Sequence, residues 1–129
     1  MSDHCDILVA EDDEHISFIL QHAFSRSNYQ ATFAVDGKAA MKAVDELAPP
    51  KLVLLDVMMP YFDGLSVLKH IKTKAGWENV PVIMLTAKTQ EQDIIHALNN
   101  GASDYIAKPF QIGELLARVK RYVAMSNAS

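Results

Sequence analysis

The sequence predicts a doubly wound α/β domain, and three observations lead there. Five short apolar runs of strand length alternate with five segments of helix length. In the longer segments the apolar residues recur at three- and four-residue spacing, the signature of a helix with one buried face. The central runs, residues 52–55 and 82–85, are apolar without alternation. That is the pattern of strands whose two faces are both covered by helices in a parallel sheet.

In chain order, strands are expected over residues 7–10, 31–35, 52–55, 82–85 and 105–107, and helices over 14–25, 38–47, 65–72, 90–99 and 112–123. Gly101 follows the fourth helix as a C-cap. Residues 125–129 are small and polar and read as a frayed end or linker stub behind a core of about 5–124. The 129 residues, 50% of them hydrophobic, suit one domain with a full core over 1–129. Trp77 and Tyr61 either mark a binding patch or cover the edge of the core.

Composition narrows the function. The net charge is −4, the pI is near 5.6, and the 12 Lys and Arg are scattered, which argues against direct nucleic-acid contact by this chain. Cys5 is the single cysteine, so neither an internal disulfide nor a CxxC site is available. No apolar stretch reaches the ~20 residues of a membrane span, and the N-terminus lacks a signal-peptide core. A soluble cytoplasmic protein is expected. His4, His15, His22, His70 and His96 show no ligand spacing, and neither GxGxxG nor GxxxxGK[ST] occurs.

The chemistry gathers at strand ends. Glu11, Asp12 and Asp13 end the first strand, Asp56 the third, Thr86 the fourth and Lys108 the fifth. In open parallel sheets the ligand crevice lies outside the carboxyl ends of the strands, so one rim should collect these side chains. Singly, each has a bland account: acids before a helix, a turn cap, a surface amine. Together they do not. Two carboxylates about 5 Å apart repel by roughly 3 kcal/mol at an effective dielectric near 20, more than the ~0.3–1 kcal/mol a helix dipole returns. Such a cluster asks for a cation, and all-oxygen ligands suit Mg²⁺. A metal-bound Asp56 with an ammonium and a hydroxyl nearby is arranged to accept a phosphoryl group itself, while Mg²⁺, Lys108 and Thr86 stabilise charge on the phosphoryl oxygens.

At this point the chain resembles the receiver domain of two-component response regulators. The matching stretches are Ile-Leu-Val-Ala-Glu-Asp-Asp ending at Asp13, Leu-Leu-Asp-Val-Met-Met-Pro ending at Pro60 with Asp63-Gly64, Pro-Val-Ile-Met-Leu-Thr-Ala ending at Ala87, and Gly-Ala-Ser-Asp-Tyr-Ile-Ala-Lys-Pro-Phe ending at Phe110. The resemblance implies a flavodoxin-like strand order 2-1-3-4-5. It implies Asp56 as phosphoacceptor, Glu11 and Asp12 as the acidic pair, and the backbone carbonyl of Met58 as a further Mg²⁺ ligand. Thr86 and Tyr105 become a switch pair, and Lys108 a phosphate-binding lysine with a cis bond to Pro109. The implied partners are a sensor histidine kinase or phosphotransfer protein, an output domain or effector, and a phosphorylation-dependent homodimer. The domain would promote only its own phosphorylation and dephosphorylation. Tyr61 and Ile94 depart from the pattern. Ile94 stands where related domains carry a basic residue of a dimer network to which Asp104, Glu114 and Arg118 conform. An alternative reading is a receiver-shaped interaction module that acts without phosphorylation.

Overall fold

The computed structural model describes residues 5–87 and 91–127. Within them, strands β1 (Ile7–Ala10), β2 (Ala31–Ala34), β3 (Leu52–Asp56), β4 (Val82–Ala87) and β5 (Asp104–Lys108) alternate with helices α1 (Glu14–Arg26), α2 (Gly37–Glu46), α3 (Gly64–Thr73), α4 (Glu91–Asn99) and α5 (Ile112–Asn127). All pairings are parallel and the strand order is β2-β1-β3-β4-β5, the flavodoxin-like order that the resemblance implied.

The pleat divides the apolar side chains between two layers. Leu8, Ala10, Val53, Leu55, Val82 and Met84 pack with Val44, Leu68, Ile71 and Ala97 of α2, α3 and α4. Ile7, Val9, Leu52, Leu54, Ile83, Leu85 and Ile106 pack with Leu20, Phe24, Leu115 and Val119 of α1 and α5. Successive residues feed opposite layers, so β1 and the stretches 52–55 of β3 and 82–85 of β4 are apolar at every position. Trp77, in the α3–β4 connection, is fully buried in the first layer, which settles it as core cover.

Helix starts are set by aspartates. Asp13 accepts from the amides of His15 and Ile16, Asp36 from Ala39 and Asp63 from Ser66, each satisfying donors that the first turn leaves unpaired. At the other end of α4, Gly101 has φ +105°, and the amides of Gly101 and Ala102 donate to the carbonyls of Leu98 and Ala97. This is the expected C-cap, closed as a Schellman motif.

Two boundaries differ from expectation in informative ways. Helix α5 extends through Asn127, so the stretch 125–127, expected to be frayed, is helical. Met125 is a good helix former, and the small, polar Ser126 and Asn127 alone did not end the helix. Strands β3, β4 and β5 each run one or two residues further than their apolar runs, taking Asp56, Thr86 and Lys108 into the sheet itself. Gln90, the expected first residue of the fourth helix, lies outside the described residues.

Candidate functional site

The strand register decides which polar groups meet. Ala10 pairs with Leu55 and Asp56 with Leu85, while Lys108 pairs with Ala87, two residues along from Leu85. Glu11, Asp56 and Lys108 therefore share the pleat parity of the α1/α5 layer. The result is a compact cluster. Single carboxylate oxygens of Glu11, Asp12 and Asp56 lie within 4.8 Å of one another. Lys108 Nζ stands 2.9 Å from Glu11 Oε1 and 3.1 Å from Asp56 Oδ1.

Glu11 and Asp56 are 1% and 4% exposed, whereas Asp12 is exposed at the mouth. One ammonium against three carboxylates leaves the pocket short of positive charge. Burial, then hydrogen bonding and repulsion from Glu11, push the Asp56 carboxyl up to about 8. Burial opposes the charge on Lys108 as well, but hydrogen bonding and attraction from Glu11 and Asp56 prevail and hold its pKa above the usual lysine value.

Glu11 supplies the test of whether a cation fits. Its Oε2 accepts from the Asp13 amide at 3.1 Å. Its buried Oε1 is met by the Lys108 ammonium at 2.9 Å, the same ammonium that stands 3.1 Å from Asp56 Oδ1. One ammonium shared between two buried carboxylates, with oxygens of Glu11, Asp12 and Asp56 gathered within 4.8 Å, leaves an all-oxygen donor set of net negative charge, the chemistry a hard divalent ion takes. The donor set fits Mg²⁺.

The loop after Asp56 is tightly shaped. The Met58 amide donates to Asp56 Oδ1 at 3.3 Å, and the Gly64 amide donates to the Val57 carbonyl at 2.8 Å. A Cβ at Gly64 would stand 2.4 Å from the Asp56 carbonyl oxygen, so only glycine lets α3 begin this close to the strand end. That accounts physically for Asp63-Gly64: one residue caps the helix, the next permits contact.

Thr86 and Tyr105 lie apart from the acids. Thr86 pairs with Ala107 and Tyr105 with Met84, which gives both the parity of the α2–α4 layer. Thr86 is buried and its hydroxyl donates to the Ala87 carbonyl at 3.3 Å. Tyr105 is 39% exposed and lies outside the core. The Lys108–Pro109 bond is cis, as the resemblance implied.

On the fourth helix the apolar stripe is displaced from expectation. Ile94 is half-buried on the stripe of Ala97, and Ile95 and Leu98 are the outward residues, 49% and 43% exposed. At 100° per residue a one-position shift turns a side chain from solvent to core, and the surrounding polar residues did not reveal the phase. Asp104 and Glu114 each lie 3.1 Å from Arg118, which also donates to the Tyr105 carbonyl at 2.8 Å, so this network closes within the chain.

Sequence reading missed the β2–α2 turn. The Gly37 amide donates to the Pro60 carbonyl at 3.1 Å, and Lys38 Nζ lies 5.7 Å from the centre of the Tyr61 ring. The available signal was a second Asp-Gly pair, Asp36-Gly37, at a helix start where glycine is a poor helix former.

A five-stranded parallel sheet that gathers acids and a lysine at its carboxyl edge defines a doubly wound α/β domain with an acidic pocket that could hold a cation. The family match makes this specific. Residues 7–120 match the response regulator receiver domain family, and the chain belongs to it. It is 42% identical over 120 residues to the alkaline phosphatase synthesis transcriptional regulatory protein PhoP of Bacillus subtilis, covering 93% of this chain and 49% of that one. It is 41% identical over 114 residues to the DNA-binding response regulator MtrA of Mycobacterium tuberculosis, covering 88% and 48%. The chain thus spans about half the length of these relatives. Among solved structures it resembles the Francisella response regulator 1452 receiver domain, with TM-score 0.84, 34% identity and coverage of 95% and 99%. The receiver domain of the Pseudomonas aeruginosa sensor histidine kinase PA1611, solved with a magnesium ion in its active-site cleft, matches with TM-score 0.84, 28% identity and coverage of 94% and 98%.

Proposed function

We propose that this receiver domain accepts a phosphoryl group on Asp56 in a Mg²⁺-dependent reaction and that the modification switches its α4–β5–α5 face. One observation carries the reading: a buried Asp56 held 3.1 Å from Lys108, with carboxylate oxygens of Glu11 and Asp12 within 4.8 Å. In the reaction an Asp56 oxygen attacks phosphorus in line with the donor's leaving group. The new O–P bond forms as the donor's P–N or P–O bond breaks, and the electron pair departs with the donor. Glu11, Asp12, Asp56 and the Met58 carbonyl would hold the cation, which when bound supplies charge to the transferring phosphoryl group. Lys108 neutralises a phosphoryl oxygen. Only a carboxylate can attack, and since burial and Glu11 push the Asp56 carboxyl up, a cation beside it would favour the ionised form, which supports metal dependence. Hydrolysis then restores the carboxylate and releases phosphate, which makes the domain a switch promoting only its own phosphorylation and dephosphorylation.

The donor is a sensor histidine kinase or phosphotransfer protein. An apolar groove of about 470 Å³ between α1 and α5, lined by Phe18, Ile19, Ile112 and Leu116, supports a helical partner next to the acidic loop. The buried hydroxyl of Thr86 and the exposed ring of Tyr105 share one face, which supports their role as the switch pair acting on an output domain or effector. No helix among the described residues is long and apolar enough to cross a membrane, in keeping with a cytoplasmic role. The net charge of −4 and the scattered Lys and Arg support a domain that makes no direct nucleic-acid contact itself, although a relative is named a DNA-binding response regulator. Incubation with acetyl phosphate and Mg²⁺ is expected to add one phosphate by intact mass, and Asp56→Asn to abolish it. Equal labelling of that variant would remove Asp56 from the role.

A further inference from the structure

We infer that the β2–α2 turn, through Gly37 and Lys38, is a positioning element for the metal site, setting Mg²⁺ affinity without contributing a ligand. The inference rests on the reading of Glu11, Asp12, Asp56 and the Met58 carbonyl as the cation's ligands.

The segment from Val57 to Asp63 carries that carbonyl and spans from the phosphoacceptor strand to α3. Its far end is fixed by Gly64, seated on the Asp56 carbonyl. Its middle is fixed from a different element. A Cβ built on Gly37 would stand 1.8 Å from the Phe62 carbonyl oxygen and 2.7 Å from its nitrogen, so the two backbones are in contact and no side chain fits between them. The Gly37 amide donates to the Pro60 carbonyl at 3.1 Å, and the Phe62 amide donates to the same oxygen at 2.9 Å. Between these anchors Tyr61 sits at φ +72°, a left-handed conformation costly for an aromatic residue. The Phe62-to-Pro60 hydrogen bond closes a tight turn about Tyr61, and because its ring is 74% exposed, the Lys38 ammonium 5.7 Å from the ring centre is the contact that ties the side chain to the β2–α2 turn. Three contacts from one turn thus constrain the loop beginning directly after Asp56. Mg²⁺ tolerates little departure from octahedral geometry, so loosening or displacing the loop should appear first as lost affinity.

The test is Mg²⁺ titration by calorimetry well below the melting temperature, with metal-free melting measured alongside. Gly37→Ala is expected to weaken Mg²⁺ binding by about tenfold or more. Gly76→Ala, a lesion of backbone conformation at φ +90° with Pro49 at ordinary contact distance, should lower the melting temperature and leave Mg²⁺ affinity unchanged. Should Gly37→Ala not fold, the Lys38 variants decide. Removing a cation near a cation site would tighten Mg²⁺ on electrostatic grounds alone, whereas loss of the clamp weakens it. Lys38→Met is expected to weaken binding about two- to fivefold, the scale of an exposed cation–π contact, and Lys38→Arg to match the parent. Unchanged affinity in a folded Gly37→Ala, or unchanged or tighter binding in Lys38→Met, would overturn the inference. Absence of Mg²⁺ binding in the parent would overturn the site reading beneath it.

Discussion

At the scale of single residues, Asp56 illustrates how a site can work against the fold that holds it. Its carboxyl is raised from 3.8 to about 8 by burial and by Glu11, so the folded state holds that proton more tightly than the unfolded chain. Between these values the unfolded state binds fewer protons, and stability must fall as pH rises. In EDTA the parent should therefore lose stability from about pH 4 to pH 8, while Asp56→Asn should lose less and melt higher than the parent at pH 8. Added Mg²⁺ should reverse the order, because only the parent retains the full ligand set. Melting curves at pH 5 and pH 8, with and without metal, check this; equal pH slopes for the two proteins would count against the electrostatic account. The residue types at this site were legible from sequence because each closes an apolar run. Asp13 was not separable from Glu11 and Asp12 on that basis. Only the coordinates show it turned to cap α1 while Glu11 turns inward.

At the scale of elements, the legible part was periodicity and the illegible part was phase. Apolar spacing located α4, yet whether Ile94 or Ile95 faces solvent depends on the packing of Ala97 against the sheet, a tertiary fact. The consequence is specific. Ile95, Leu98 and Tyr105 are the exposed apolar groups of the α4 and β5 face, while Arg118 is paired within the chain to Asp104 and Glu114. An association of the phosphorylated form through this face would be apolar at its core, with charges already satisfied at its rim. Sedimentation of beryllofluoride-activated protein should show Ile95→Lys weakening self-association by about tenfold or more, and 0.5 M salt weakening it only slightly. Strong salt sensitivity with an unaffected variant would point to a charged interface instead. The β2–α2 turn was invisible for a related reason: contact between Gly37 and Phe62, 25 positions apart, leaves no mark on local pattern beyond an unexplained glycine.

At the scale of the whole molecule, one sheet carries the two sets of candidate residues on opposite pleats. Glu11, Asp56 and Lys108 follow the parity of the α1/α5 layer, and Thr86 and Tyr105 that of the α2–α4 layer, so a phosphoryl group on Asp56 must act across strand ends to reach α4. The strand order that makes this possible came from family resemblance, because alternation of elements constrains the layers but not the order of strands. Under the proposed function Thr86 would transmit the change, since it is buried near the end of β4, the strand that separates Asp56 from Tyr105. Amide chemical shifts on adding beryllofluoride and Mg²⁺ test this most directly. In the parent, changes are expected at the acidic pocket and through Glu91–Asn99 and Asp104–Lys108; in Thr86→Ala the pocket should still respond while the shifts at α4 and β5 shrink severalfold. Shifts confined to the pocket in the parent, or equally large at α4 and β5 in Thr86→Ala, would contradict the account.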